Sequence, residues 1–227
     1  MIKIYEEVVQ GTDEWYALRL GLTTASEVKK LITPTGKIAD NDDTRSHVYE
    51  LLAQRITGRI DPSYISDDML RGKIEEMDAL ALYDEKYDKI KKVGFITNDK
   101  WGFTIGYSPD ALVGDDGLIE VKSHRQKYQI ETILSDGLPT NKALNPMLQI
   151  QTGLLVSERK WCDFVSYSGG LPMNVVRVYP DEEIQKNIVQ AVKATEDKIA
   201  KLTELYNAKI KNLFPTEYRE LDMEIKL

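Results

Sequence analysis

The chain has 227 residues, 42% of them apolar and 30% charged, and 30 Lys+Arg against 37 Asp+Glu leave a formal net charge of −7. That length suits one domain over residues 1–227 with a sizeable core, and the charge excludes a histone-like basic coat but not a local basic groove for nucleic acid. One cysteine, Cys162, and two histidines, His47 and His124, exclude a disulfide framework and a zinc knuckle, and a His-based metal site or Ser-His-Asp triad would have to use one of these two distant histidines.

In chain order, Met1–Glu7 lacks the apolar core of a signal peptide, and no apolar run is long enough to span a membrane, so a cytoplasmic protein is expected. Thr12–Leu20 reads as a short helix capped by Thr12, with Trp15 and Leu18 on one face and Gly21 closing it. A second helix is expected to open at Thr24, where Thr24-Ala25-Ser26-Glu27 fits a capping box ahead of Val28, Leu31 and Ile32. A polar loop over 33–42 leads to an amphipathic helix over Thr44–Thr57, stopped by Gly58. Met69, Leu70, Ile74, Met77, Leu80 and Ala81 recur at helical spacing and predict a long helix over Asp67–Tyr87.

The period then shortens. Val93–Thr97, Gly102–Tyr107 and Leu118–Lys122 read as strands, with a strong turn at Gly114-Asp115-Asp116-Gly117. Helices are expected over Gln126–Ser135 and Pro146–Val156, then strands over Trp161–Tyr167 and Val175–Tyr179. A last long helix, about Asp181–Lys211, turns Ile184, Ile188, Val192, Ile199, Leu202 and Leu205 inward. The order implies an α/β (α+β) domain, a central mixed β-sheet flanked by helices.

Chemistry concentrates between 106 and 122. Alternate side chains of a strand share a face, so Ile119 and Val121 point to the core while Glu120 and Lys122 stand together on the other side. A solvated strand face is the ordinary reason for such a pair. Asp110, behind Pro109 and across a tight turn, raises a second reading, because a hairpin would bring it near Glu120. Two carboxylates at close range call for a cation, and Mg²⁺ suits a donor set without soft ligands. Such ions activate water and stabilise a leaving oxygen, and a compact lysine beside the water favours its deprotonated form.

Ser108-Pro109-Asp110 followed by Glu120-Val121-Lys122 resembles the PD-(D/E)XK nuclease motif, and hence a restriction-endonuclease-like core. Further blocks follow in order: Gln10-Gly11-Thr12-Asp13-Glu14-Trp15, Leu18-Arg19-Leu20-Gly21, Thr24-Ala25-Ser26-Glu27-Val28, Gly72-Lys73-Ile74-Glu75-Glu76 and Gln149-Ile150-Gln151. Together they resemble the phage lambda exonuclease, or YqaJ-like viral recombinase, family over roughly residues 8–167.

The resemblance implies a Mg²⁺-dependent exonuclease, with two ions per site and Mn²⁺ as a substitute. Such an enzyme degrades one strand of linear double-stranded DNA 5′→3′ to mononucleotides, leaving a 3′ overhang. It further implies a toroidal homotrimer, a single-strand annealing recombinase as partner, and a phage or prophage protein in a bacterial host. By the same resemblance Asp110, Glu120 and the Val121 carbonyl would hold the metals, and Lys122 would face the attacking water. Glu76 would be the helix carboxylate, with Glu75 one position away, and Gln151 would face the active site, Gln149 less securely since i and i+2 lie on different helix faces. Arg19, Ser26 and Ser108 would form a pocket for the terminal 5′-phosphate, although Arg19 and Ser26 alone also read as an ordinary helix end and a cap. The loop at 33–37 is shorter and less basic than the lambda pattern, with Lys37 or Arg45 as possible replacements. Trp101 and Trp161 read as packing residues. The competing readings are another PD-(D/E)XK nuclease, structure-specific or RecB-like, and a DNA-binding module without activity.

Overall fold

Two mixed sheets, where the sequence suggested one, position the helices. The structure is a computed structural model that describes residues 1–33, 35–61, 66–140 and 146–219. In chain order its main elements are β1 (Ile2–Tyr5), α1 (Asp13–Arg19), β2 (Thr23–Thr24), α2 (Asp42–Thr57), α3 (Asp67–Lys86), β3 (Ile90–Lys91), β4 (Phe95–Asn98), β5 (Ile105–Tyr107), β6 (Ala111–Val113), β7 (Gly117–Ser123), α4 (Gln126–Leu134), α5 (Met147–Ser157), β8 (Trp161–Tyr167), β9 (Asn174–Val178) and α6 (Glu182–Lys209). One sheet has the order β1-β4-β5-β2, the other β3-β6-β7-β8-β9. β2 runs parallel to β5 and β7 parallel to β8; the remaining pairs are antiparallel.

Caps set the helix starts. Thr12, Asn41, Ser66 and Asp181 each accept a backbone N–H two or three positions into the helix that follows. Gly58, at φ 68°, closes α2 in the left-handed region that glycine enters without strain. Across the second sheet, Leu118 and Phe164 pack toward α5, with Ile150 and Leu154, and toward Tyr107. Ile119, Val121 and Val165 pack on the opposite face against Ala79, Leu80 and Tyr83 of α3. β7 is therefore covered on both sides.

Three expectations are corrected. Thr24 opens no α-helix: Thr23 and Thr24 pair with Ile105 and Gly106, the Ala25 N–H donates to the Gly106 carbonyl at 2.9 Å, and only a 3₁₀ turn over Val28–Lys30 follows. Thr24 Oγ1 still donates to Glu27 Oε2 at 3.1 Å, so the capping-box residues meet without a helix to cap. On α3, Met69, Leu70, Ile74 and Met77 are exposed, and only the C-terminal half of the helix faces the core. Leu205 on α6 is likewise exposed.

Candidate active site

The β6–β7 hairpin forms as its turn demands, its register ending at Ala111 opposite Ile119, with Asp110 and Glu120 the residues next to that last pair. Asp110 Oδ2 accepts the Val121 N–H at 2.6 Å, just beyond the end of β6. The N–H and C=O of one strand residue point to the same edge, so the Val121 carbonyl also faces the Asp110 side. Gln10 fixes the approach to Asp110, its Nε2 donating to the Pro109 carbonyl at 2.8 Å and to the Val93 carbonyl at 3.3 Å.

Glu120 is fully buried, so the solvated-face reading of β7 fails. Its Oε1 accepts from Lys122 Nζ at 2.7 Å and from Gln149 Nε2 at 2.5 Å, and its Oε2 accepts from Tyr107 OH at 3.2 Å. Gly153 makes room for that tyrosine: a Cβ there would lie 2.7 Å from Tyr107 Cζ. Burial pushes the Asp110 carboxyl well above the usual range, and Glu120 and then Glu76 push it further while Lys122 opposes them. Burial and the Glu120 charge raise Glu76 in the same way. For Lys122, burial favours the neutral amine, but Glu120 and Asp110 outweigh it and hold the ammonium above its ordinary value.

The structure thus gathers Glu76, Asp110, Glu120, Lys122 and Gln149. Glu75 turns elsewhere, bonded to Arg71 Nη1 at 2.6 Å and to the Ser123 hydroxyl, whereas Glu76 is the carboxylate that interacts with Glu120 and Asp110. Gln151 does not join the cluster. Its buried amide donates to the Tyr179 carbonyl at 2.8 Å and accepts the Asp181 N–H at 2.8 Å, so it fastens the start of α6. Two residues along a helix reverse the side, and Gln149 is the one that reaches Glu120.

A second cluster lies at the other end of the Ser108-Pro109-Asp110 segment. Arg19 Nη1 is 3.3 Å from Ser108 Oγ and Nη2 is 3.2 Å from Thr24 Oγ1, while Ser26 Oγ lies 3.4 Å from Thr24 Oγ1. Trp15, read from the sequence only as a helix-face residue within a family block, lies 4.2 Å under the guanidinium and donates its Nε1–H to Ser108 Oγ at 2.9 Å. Burial lowers the Arg19 pKa, with Glu27 partly restoring it. Lys37 is exposed, and Arg45, also exposed, pairs with Asp42 at 2.7 Å, so neither is held at these clusters.

The donor set at Asp110 and Glu120 is all hard oxygen, with Glu76 and the Val121 carbonyl beside it, and the raised Asp110 carboxyl marks a place short of positive charge. These residues fit a Mg²⁺-type ion. Among the described residues, the His/Cys/Asp/Glu group of three whose ligand atoms lie within 4.8 Å of one another is Glu27, His47 and Glu50.

The family model of the YqaJ-like viral recombinase domain matches residues 14–160. Among solved structures, the chain is similar to an alkaline exonuclease (LHK-Exo) from Laribacter hongkongensis, at 32% identity and a TM-score of 0.71, over 87% of this chain and 99% of that one. The same protein in complex with dAMP aligns at 33% identity and the same TM-score and coverage. A phage related exonuclease from Haemophilus somnus 129PT shares the fold, with a TM-score of 0.63 at 15% identity over 82% of this chain and 96% of that one. No curated protein matches the chain.

Proposed function

Because the chain belongs to the YqaJ-like viral recombinase domain family, we propose that it is a nuclease acting on DNA, a Mg²⁺-dependent 5′→3′ exonuclease of linear duplexes that releases mononucleotides and leaves a 3′ single strand. The observation that carries this reading is the Ser108-Pro109-Asp110 segment. Ser108 belongs to the Arg19 cluster and Asp110 to the Glu120 cluster. Two residues of chain reach at most about 7 Å, close to the spacing of adjacent phosphates in a strand. A terminal phosphate held by Arg19 would therefore bring the next phosphodiester to the carboxylates, which accounts for both the polarity and the single-nucleotide product.

In this reading Arg19 offers two N–H groups to the anion, stiffened by Trp15, with Ser26 and Ser108 as hydroxyl donors. Asp110, Glu120, Glu76 and the Val121 carbonyl would hold Mg²⁺ as a pair of ions, Mn²⁺ substituting; when bound they supply Lewis-acid polarisation of the phosphate and a more acidic water. Lys122, held beside Glu120, would orient the attacking water and favour its deprotonated form. Gln149 and Tyr107 keep the Glu120 carboxylate in one rotamer. The chain would work as one nuclease domain in a toroidal homotrimer in the bacterial cytoplasm. It would hand its 3′ strand to a single-strand annealing recombinase, and among the described residues no helix is long and apolar enough to cross a membrane.

Linear duplexes with one labelled, 5′-phosphorylated end, incubated with and without Mg²⁺ beside covalently closed circles, test the proposal. Labelled mononucleotide should appear from the 5′ end only with metal, and circles should survive. Digestion of circles, or release from the 3′ end, would overturn it.

A further inference from the structure

His47, on α2, is 1% exposed and its Nε2 has no hydrogen-bond partner. Its Nδ1 lies 3.1 Å from Glu50 Oε2 and 3.7 Å from Glu27 Oε1, and one ligand atom from each of the three residues falls within 4.8 Å of the others. The Lys30 ammonium enters the same space, 3.3 Å from Glu27 Oε1, 3.4 Å from His47 Nδ1 and 3.6 Å from Glu50 Oε2.

These contacts do not all suit one another. If Nδ1 carries its proton it serves Glu50 but points an N–H at an ammonium; if Nδ1 carries its lone pair it serves Lys30 but faces a carboxylate oxygen. Either tautomer leaves one close contact unfavourable. A divalent cation where the ammonium now sits resolves the conflict, because it takes the Nδ1 lone pair and both carboxylates together. The ammonium already marks that point as a cation position. Lys30 is 36% exposed and stands at a groove of about 1040 Å³, so its stem has room to swing away.

The geometry points to a second metal site at Glu27, His47 and Glu50, gated by Lys30 and selective for a first-row transition ion of the Zn²⁺ or Co²⁺ type. One imidazole and two carboxylates, with open positions toward the groove, suit those ions, whereas Mg²⁺ prefers the all-oxygen set at Asp110 and Glu120. The remaining oxygen of Glu27 accepts from Thr24 Oγ1, which Arg19 also contacts, so an ion here braces the wall of the Arg19 cluster.

Co²⁺ reports on the site directly through its visible d–d bands. The full chain carrying Asp110→Asn and Glu120→Gln, which silence the oxygen site, is titrated with Co²⁺ under excess Mg²⁺ and checked by equilibrium dialysis. One Co²⁺ per chain should bind with d–d bands, and adding His47→Gln should abolish them. Glu50→Gln, at a half-exposed position, should weaken binding too, and covers the case in which the buried histidine variant does not fold. Lys30→Met should tighten binding by about tenfold, as removal of a nearby solvent-screened positive charge predicts. Absence of a retained Co²⁺, bands unchanged by His47→Gln or Glu50→Gln, or weaker binding in Lys30→Met would overturn the site. No arm reads DNA cleavage, so the outcome is separate from that of the nuclease proposal.

Discussion

Asp110→Asn should leave the metal-free protein more stable while removing its activity. Asp110 and Glu120 adjoin the last pair of the β6–β7 hairpin and repel one another, and like charges brought together across a strand pair destabilise it. At about 5 Å and an effective dielectric near 20, two unit charges repel by roughly 3 kcal/mol. Lys122, 2.7 Å from Glu120, cancels much of that, and about 1 kcal/mol of net repulsion remains. Asparagine keeps an oxygen for the Val121 N–H and can donate to Glu120, so the repulsion is lost without orphaning a donor. For a chain of this size that corresponds to a melting temperature raised by about 2–4 °C. The Asp110 carboxyl is raised in the folded state, by burial first and then by Glu120. Its penalty is therefore absent below the ordinary carboxylate range and grows as pH rises through the raised value. Thermal unfolding in chelator should show the gain at pH 8 and its disappearance near pH 4, and Mg²⁺ should reverse the ranking at pH 8 by stabilising the wild type. A variant that melts below the wild type at pH 8 in chelator would refute the electrostatic account of this site.

Other consequences can be checked alongside. Arg19→Ala should lose most of the preference for 5′-phosphorylated over 5′-hydroxyl ends, read as the ratio of digestion rates; an unchanged ratio rejects the anion pocket. Gln149→Ala should lower the cleavage rate by about tenfold or more, a loss of roughly 1.4 kcal/mol or more in barrier terms, whereas Gln151→Ala should mainly lower the melting temperature by loosening the start of α6. Gly153→Ala would set a methyl 2.7 Å from the Tyr107 ring and should cost about 1–3 kcal/mol by denaturant unfolding. Raising salt should weaken DNA binding, measured by anisotropy, because an acidic chain must grip phosphates through a few basic groups that release counterions.

Where local chemistry decides, the sequence was readable. The cap at Thr12, the Gly-rich turn before β7 and the strand Trp161–Tyr167 stand where their residues predict, and α6 starts one residue after the expected Asp181. Where tertiary pairing decides, it was not. Thr24 carries a capping box, yet β5 takes the backbone of Thr23 and Thr24 into a parallel pair. Alternation on β7 marks Glu120 as outward, but α5 and Tyr107 close over that face, and only the family motif hints at a buried carboxylate. On α5, Ile150, Gln151, Thr152, Gly153 and Leu154 are all buried, so no solvent-facing stripe told Gln149 from Gln151. α3 misled in the opposite sense, spacing Met69, Leu70, Ile74 and Met77 like a core face while leaving them outside. Trp15 read as a helix-face residue at the end of a family block, and its stack under Arg19 appears only once α1 meets the Ser108 loop.

The partners of Glu120 come from distant stretches: Glu76 precedes it on α3, Tyr107 and Asp110 flank the turn into β6, and Gln149 follows on α5. No contiguous piece shorter than residues 76–149 contains them all, and Gln10 secures the Pro109 carbonyl from farther still. Contacts so remote along the chain form late, after the loop-closure entropy has been overcome. A nascent polypeptide leaving the ribosome therefore cannot complete this centre until α5 has emerged and docked.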